Sequence, residues 1–460
     1  MPIQRSTDLM SDLVVVTFSH DGHTSPQPVE IGGPGDKSIS HRALLLSALA
    51  DGDSRLTGLS QGEDVVATRR VVQQLGADVR SDGDALVVTG RGAALGQSTD
   101  GAELELDFGN AGTGIRLALG VLSGIQGRSF RLVGDASLSR RPMNRVITPL
   151  AQLGARIDGV GPTQTPPLNV VGQQLSCVLV DTNVPSAQVK SALLLAGLWA
   201  VTAGSGEMQV EESTVTRRHT EEMLRGFGAQ LEVVDTPSGG AVATLRSGLP
   251  LRAVDVDVPR DPSQIAFWVV GALLAQRDVV SRNVYAGTGR LGLVELLQHL
   301  GAPIEVSDVA TSSAGPVATV TTLGTTPWHP ATDVEVDPAA VSSLVDEVPV
   351  LALLLATRPG THRIRGLAEL RIKESDRVAS TAQMLAALGR RVDVEGDDLV
   401  VHGTGEPFSA TQIDSHGDHR IAMCGAIAAL YSDGPVTVTG WESVATSYPD
   451  FEKDWNLCVS

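Results

Sequence analysis

Six long stretches of this chain are almost wholly apolar, and each is entered through polar or charged residues. They read ALLLSALA after Ser40-His41-Arg42, LALGVLSGI after Gly114-Ile115-Arg116, and SALLLAGLWA after Gln188-Val189-Lys190. The other three are IAFWVVGALLA after Ser263-Gln264, VPVLALLLA after Asp346-Glu347, and IAMCGAIAALY after Asp418-His419-Arg420. A helix without a clean polar face has to be buried, so these segments predict six core helices. A second kind of segment recurs between them: VVQQLGADV, LAQLGARID, LRGFGAQLEV, LQHLGAPIEV and LAALGRRVDV. Each reads as a helix end, a glycine and the start of a strand. The glycines are Gly76, Gly154, Gly228, Gly301 and Gly389, roughly 75 residues apart. Glycine suits that place because the left-handed C′ conformation carries no Cβ penalty for it.

Each copy therefore reads helix, strand, helix, strand, often with one more strand, as in DALVVTG or DDLVVHG. Six copies fit the chain, the last one truncated after a helix-like SYPDFEKDW. A unit of this length is too large for a solenoid repeat. The alternation of periods predicts mixed sheets facing helices, an α/β (α+β) fold of six βαβ-type modules in two groups of three. The short connections Gly33-Pro34-Gly35-Asp36 and Val258-Pro259-Arg260-Asp261-Pro262 read as crossovers. They predict a discontinuous pair of domains, 36–259 against 1–35 plus 260–460, with a hinge near 33–36 and 258–262.

At four of the six apolar stretches the charge has the wrong sign for a helix start. Arg or Lys in a first turn opposes the partial positive charge there by about 0.3–1 kcal/mol. Free backbone N–H groups beside a cation make an anion site instead. Repeated along one chain, the feature points to a polyanionic small-molecule substrate.

Composition narrows the partners. The 460 residues are 42% hydrophobic and only 3% aromatic, so large cores have to be packed with Val, Leu, Ala and Ile. A net charge of −18 argues against nucleic acid or an anionic membrane as partner. The anionic substrate then needs a local basic pocket within an acidic envelope. Cys177, Cys424 and Cys458 are too few and too scattered for a disulfide framework or a zinc site, which fits a reducing, cytoplasmic setting. No apolar run reaches the uninterrupted ~20 residues of a membrane span. The N-terminus carries acids and no apolar core of a signal peptide.

The candidate chemistry lies in six motifs. In PGDKSISHRALLL, Lys37, Ser38 and Arg42 converge on a turn and the helix start that follows it, which suits phosphate or carboxylate. In FGNAGTGIRLALG, Ala111, Gly112 and Gly114 allow backbone to approach a ligand closely. The run matches neither a Walker A loop nor GxGxxG. Arg140 and Arg141 precede Pro142, which is well placed at a helix start, although adjacent loop arginines are more often merely solvated. Ser186, Gln188 and Lys190 stand at another helix start, where Ser186 would serve equally as a plain N-cap. Downstream, Thr216-Arg217-Arg218-His219 repeats the theme. In LRIKESDRVAS, read as helix, Lys373 and Arg377 are i,i+4 and Glu374 and Arg377 are i,i+3. With Asp346, two carboxylates become available for proton transfer among cations. Asp418 and His419 suggest a hydrolase pair, but no GxSxG elbow accompanies them and Arg420 fits anion capture better.

PGDKSISHR, FGNAGTGIR, DASLSRRPM, SAQVKSALLL, RIKESDR and GDHRIAM stand in the order found in the 5-enolpyruvylshikimate-3-phosphate (EPSP) synthases, which the chain closely resembles from Pro34 to Met423. SAQVKSALLLAGL resembles the divergent class II bacterial branch. The resemblance implies two domains of three βαβαββ units each, the inside-out α/β barrel type of the enolpyruvyl transferases. It implies transfer of the enolpyruvyl group of phosphoenolpyruvate to the 5-hydroxyl of shikimate 3-phosphate with release of phosphate, in the shikimate pathway to chorismate and the aromatic amino acids. It implies no metal or organic cofactor, and the expectation is a monomer. By resemblance, Lys37, Asp346 and Glu374 are catalytic: Lys37 contacts both substrates, Asp346 is the base for the 5-hydroxyl, and Glu374 gives a proton to the enol methylene. Shikimate 3-phosphate falls to Lys37, Ser38, Arg42, Ser186, Ala187, Gln188, Arg217, Asp346 and Lys373. The family's second serine is Ala187 here, so that phosphate bond comes from the backbone N–H. Phosphoenolpyruvate falls to Lys37, Gly112, Arg141, Gln188, Arg377 and Arg420. Gly112 leaves room for glyphosate, a competitor for the same pocket. Closure of the domains would bring groups from both halves together and exclude water.

One departure stands out: the family's C-terminal Lys ahead of a T-F-P-D-like segment is missing from WESVATSYPDF, where Glu442 is the nearest equivalent. UDP-N-acetylglucosamine enolpyruvyl transferases are the rival with the same architecture. They use a loop cysteine (or Asp) as acid and an asparagine after the N-terminal Lys. Here Ser38 follows Lys37, and no cysteine stands in a corresponding loop. A non-catalytic binding module would be expected to lose the Asp346 and Glu374 pair, and both are present.

Overall fold

The computed structural model describes the chain apart from residues 1–2, 8–12, 21, 23–26, 98–101, 183, 205 and 331–332. Its contacts divide the chain into two compact units. Residues 35–259 with 311–316 form an insert unit, and 1–34, 260–310 and 317–460 form a terminal unit.

Among the described residues the insert unit carries the α-helices α1 (Lys37–Ala48), α2 (Glu63–Gln74), α3 (Gly112–Ser123), α4 (Asn144–Gln152), α5 (Ala187–Ala203) and α6 (His219–Gly226). Its middle module shows the plan. Strand Leu104–Asp107 leads through α3 to Ser129–Val133, which lies parallel to it. The chain then runs through α4 into the hairpin Arg156–Val160 and Thr165–Val171, whose second strand returns antiparallel to Ser129–Val133. The sheet order is thus first, second, fourth, third, a βαβαββ module. Leu179–Asp181, α5, Met208–Glu212, α6 and the pair Leu231–Asp235 and Ala241–Leu245 repeat it. The module of α1 and α2 takes its lead strand, Val256–Asp257, from the far end of the segment, parallel to Asp53–Thr57.

The terminal unit carries α7 (Pro262–Ala275), α8 (Gly292–His299), α9 (Pro338–Leu344), α10 (Val348–Leu355), α11 (Arg377–Ala387), α12 (His419–Ala428) and α13 (Phe451–Val459). Its first module is led by Val29–Glu30, after which the chain leaves for the insert unit and returns at α7. The last module is complete, contrary to the truncation expected from the sequence. Val436–Thr439 pairs with the N-terminal hairpin Ile3–Thr7 and Val14–Phe18, which supplies the two missing strands. The sequence pattern hid this because the completing strands lie at the opposite end of the chain.

The six apolar stretches are the inner helices α1, α3, α5, α7, α10 and α12. In α7 every residue is buried, and α10 and α12 are buried throughout. Helices α7, α10 and α12 pack on one another, as α3 does on α5 and α1. Burying each Leu or Val side chain contributes about 1.5–3 kcal/mol, so these bundles are the main cores. The strands alternate buried and open positions, as in Thr165–Val171 with Pro166, Leu168 and Val170 inward, consistent with sheets covering one side of the helices. The outer helices α2, α4, α6, α8 and α11 each run into a glycine two positions on, Gly76, Gly154, Gly228, Gly301 and Gly389, all with φ between 80° and 94°. Helix α9, the turn at 345–347 and α10 make one helical run, Pro338–Leu355, of 18 residues that is long and apolar enough to cross a membrane; 61% of it is buried in the protein, as for a core helix.

Candidate active site

In the insert unit the three inner helices all start with candidate site residues. The Asp36 carboxylate caps α1 by accepting from Ile39 N at 2.8 Å. Lys37 and Ser38 are the first residues of the helix and Arg42 lies one turn later. Lys37 Nζ is 3.1 Å from Asp64 Oδ2 on α2. Arg42 is 3% exposed and donates to Thr220 Oγ1 (2.7 Å), Ser191 Oγ (2.8 Å) and the Ser38 carbonyl (2.8 Å). Helix α3 opens at Gly112, where a Cβ would stand 2.7 Å from Arg141 Nη1 and 3.1 Å from Arg116 Nη1. Arg116 donates to Gly112 O at 3.1 Å and to Gln188 Oε1 at 3.2 Å, while Gln188 Nε2 donates to Thr113 Oγ1 at 3.0 Å. Arg141 donates to Asn110 Oδ1 at 2.5 Å. Ser186 occupies the N-cap position of α5, yet its hydroxyl does not close on the first-turn N–H groups, and Ala187 and Gln188 follow it. Arg217 is half-buried in the approach to α6.

Contacts therefore link Gln188, Arg116, Gly112 and Arg141 between the starts of α5 and α3, while Arg42 reaches α5 at Ser191. Bonds to neutral acceptors orient a guanidinium without cancelling its charge. Three N-termini with Lys37, Arg42, Arg116 and Arg141 can hold phosphate and carboxylate groups. Burial, aided by Lys37 and Arg42, pushes the His41 imidazole down to about 3, so it is neutral; its Nδ1 lies 2.8 Å from Thr68 Oγ1. Lys190 departs from the expected anion site. It is buried between Glu212 (2.8 Å) and Glu221 (2.6 Å), an ion pair that ties α5 to α6 and to the neighbouring strand.

In the terminal unit the cluster is built around Arg377, 2% exposed. Its Nε donates to Asp418 Oδ2 at 2.8 Å, its Nη2 to Glu374 Oε2 at 2.5 Å, and its Nη1 lies 3.4 Å from Asp346 Oδ1. Burial works against the Arg377 charge, but Asp418, Glu374 and Asp346 outweigh it and hold the guanidinium far above its ordinary range. Burial likewise works against the Asp418 charge, and Arg377 prevails, holding that carboxyl below the usual range. Asp418 also caps α12 by accepting from Arg420 N at 2.9 Å, and Arg420 Nη1 donates to the Asp346 carbonyl at 2.9 Å. Lys373 Nζ sits 2.9 Å from Glu369 Oε1 and 3.8 Å from Asp346 Oδ1. Asp346, Lys373, Glu374, Arg377 and Arg420 are thus brought together. Lys373 and Glu374 are not helical as expected, because Asp376 accepts from Val378 N and Ala379 N and starts α11 at Arg377. Nor does Pro142 open a helix, since α4 begins at Asn144.

Sequence reasoning passed over several contributors. Arg116 was visible as a cation at a helix start and received no role. Asp418 was set aside as half of an Asp–His pair, yet its carboxylate holds Arg377. Asp64 carried no signal, since an acid in a first helical turn is ordinary. Glu442 accepts from Val14 N at 3.0 Å and so serves the N-terminal hairpin. Among the described residues no three His, Cys, Asp or Glu side chains are grouped to share a metal ion.

Residues 23–455 match the family EPSP synthase (3-phosphoshikimate 1-carboxyvinyltransferase). A 3-phosphoshikimate 1-carboxyvinyltransferase of Bradyrhizobium diazoefficiens is 44% identical over 91% of this chain and 87% of its own length. One from Synechococcus sp. is 41% identical over 91% and 94%. The solved EPSP synthase of Acinetobacter baumannii superposes with a TM-score of 0.81 at 35% identity, covering 96% of this chain and 97% of that one. Fold, charged helix starts and relatives together define a transferase. The chain belongs to the EPSP synthase family, and its activity is 3-phosphoshikimate 1-carboxyvinyl transfer. The UDP-N-acetylglucosamine reading is not favoured.

Proposed function

We propose that the insert-unit cluster binds the anions and the terminal-unit cluster moves the protons when the enolpyruvyl group of phosphoenolpyruvate passes to the 5-hydroxyl of shikimate 3-phosphate. Lys37, Ser38, Arg42, Ser186, Gln188, Arg217 and the Ala187 N–H hold shikimate 3-phosphate, with Asp346 and Lys373 on its ring hydroxyls. Lys37, Gly112, Arg141, Gln188, Arg377 and Arg420 hold phosphoenolpyruvate. Glu374 gives a proton to the methylene carbon, Asp346 takes the proton of the 5-hydroxyl, and the 5-oxygen bonds to the adjacent carbon. The adduct then expels phosphate as a methyl proton returns to the Glu374 carboxylate, which restores both the vinyl group and the acid. Developing positive charge is stabilised by fixed carboxylates, and the departing phosphate by fixed cations. The chain segments at 33–36 and 258–262 act as the hinge between the two units. A monomer in the reducing cytoplasm is the setting, a compartment supported by the free thiols of Cys177, Cys424 and Cys458.

The observation that carries this reading is Arg377, which draws Asp346, Glu374 and Asp418 to one guanidinium. A phosphate-release assay that needs both substrates tests it. Glu374→Gln should lose on the order of a hundredfold or more in turnover while still binding shikimate 3-phosphate. Near-normal turnover in that variant overturns the acid assignment.

A further inference from the structure

We infer that Ser191 and Thr220 form a hydroxyl relay that sets the orientation of Arg42, and are positioning residues for shikimate 3-phosphate. The inference rests on the substrate-holding role given to Arg42 above. Thr220 Oγ1 donates to Ser191 Oγ at 2.7 Å, and Ser191 Oγ donates to the Ala187 carbonyl at 2.6 Å. With both protons committed, each hydroxyl oxygen offers lone pairs, and Arg42 Nε and Nη2 donate to them at 2.7 and 2.8 Å. Arg42, Ser191 and Thr220 are 3%, 1% and 1% exposed, so water cannot substitute for either hydroxyl. The relay ends on Ala187, within the helix start assigned to the 3-phosphate, and so couples that start to the guanidinium.

The next residues in the chain hold the relay in place. Lys190, beside Ser191, is ion-paired to Glu221, beside Thr220, and to Glu212, which accepts from Thr216 Oγ1 at 2.6 Å. The carboxylates that fix α5 against α6 pair with Lys190, while the two relay partners of Arg42 are neutral hydroxyls. A carboxylate in their place would have cancelled the charge the substrate needs.

Steady-state kinetics with each substrate varied will test the relay. Thr220→Val and Ser191→Ala should each raise the KM for shikimate 3-phosphate about tenfold, as expected for one lost bond to a charged donor. The kcat and the KM for phosphoenolpyruvate should stay within about twofold, and Thr220→Ser should restore the parent values. A fall in melting temperature with unchanged KM in both variants would make the hydroxyls merely structural and overturn the inference. Arg42→Ala separates the two levels. If it leaves the KM for shikimate 3-phosphate unchanged, the reading of Arg42 itself fails. If it raises that KM while Thr220→Val and Ser191→Ala do not, only the relay fails. Should Thr220→Val not fold, Ser191→Ala and Thr220→Ser carry the test.

Discussion

At the scale of single residues, the partners of a buried charged group separate the cations proposed to hold substrate from those that hold the fold. Lys190 and Arg42 looked alike as cations near helix starts, and what separates them is the company they keep. Lys190 meets two carboxylates, whereas three Arg42 hydrogen bonds run to hydroxyl and carbonyl oxygens. No local pattern carries that difference, because Glu212 and Glu221 lie far along the chain. His41 is a further case, buried at the centre of α1 and held neutral down to about pH 3. An unfolded imidazole titrates near 6.5, so between about pH 6.5 and 3 the unfolded chain binds the extra proton. Stability then rises with pH across that window, by about 1.4 kcal/mol per unit at most from this one group. Urea unfolding at a series of pH values should show that slope, and His41→Asn should flatten it. An unchanged slope in the variant would place the effect elsewhere.

A second residue-scale expectation concerns Gly112. A methyl group there would meet the tips of Arg141 and Arg116, which are flexible enough to move but would lose their present aim. Gly112→Ala should therefore raise the KM for phosphoenolpyruvate several-fold and weaken inhibition by glyphosate. Unchanged inhibition would remove Gly112 from that pocket.

For the elements, legibility followed burial. The inner helices were evident in the sequence because all-apolar runs admit few other readings, and the outer helices were marked by their terminal glycines. Helix α11 was misplaced because LRIKESDR keeps helical spacing while Asp376, acting as N-cap, delays the start. The candidate site motifs stood out for a related reason: cations at helix starts conflict with the helix dipole, and such local conflicts flag candidate positions, of which Lys190 proved to be a structural ion pair. Helix packing tests the same logic. Gly120 on α3 lies so close to α5 that a Cβ would stand 2.1 Å from the Ala192 carbonyl oxygen. Backbone cannot give way as a side-chain tip can, so Gly120→Ala should cost about 1–3 kcal/mol of stability. Because α3 and α5 open at Gly112 and Ala187, the variant should also weaken binding of both substrates. A calorimetric scan with paired KM measurements would show whether the two losses appear together.

For the molecule as a whole, the modules are alike in plan but three of them borrow strands from distant sequence, Val29–Glu30 lying parallel to Asp278–Tyr285 in one of them. Val256–Asp257 completes the sheet of α1 and α2, and the N-terminal hairpin completes the sheet beneath α12. The aromatic residues, scarce overall, gather at the hairpin closure. Phe18 of the hairpin lies 4.8 Å from the Trp441 ring and 5.0 Å from that of Trp455, and Phe451 lies 5.6 Å from Trp441. Arg277 reaches the same region and donates to the Leu457, Cys458 and Ser460 carbonyls. Removing one ring tests whether the hairpin is integral to its unit or only laid upon it. Phe18 is fully buried, so Phe18→Ala should cost about 3–5 kcal/mol. The loss belongs to the terminal unit, whose own core contains Phe18, Trp441 and Trp455. Amide exchange in the variant should accelerate in α12, α13 and Val436–Thr439 while α3 and α5 keep their protection. Equal acceleration in both units would mean that they unfold as one, and no acceleration in α12 would mean that the sixth module stands without its borrowed strands.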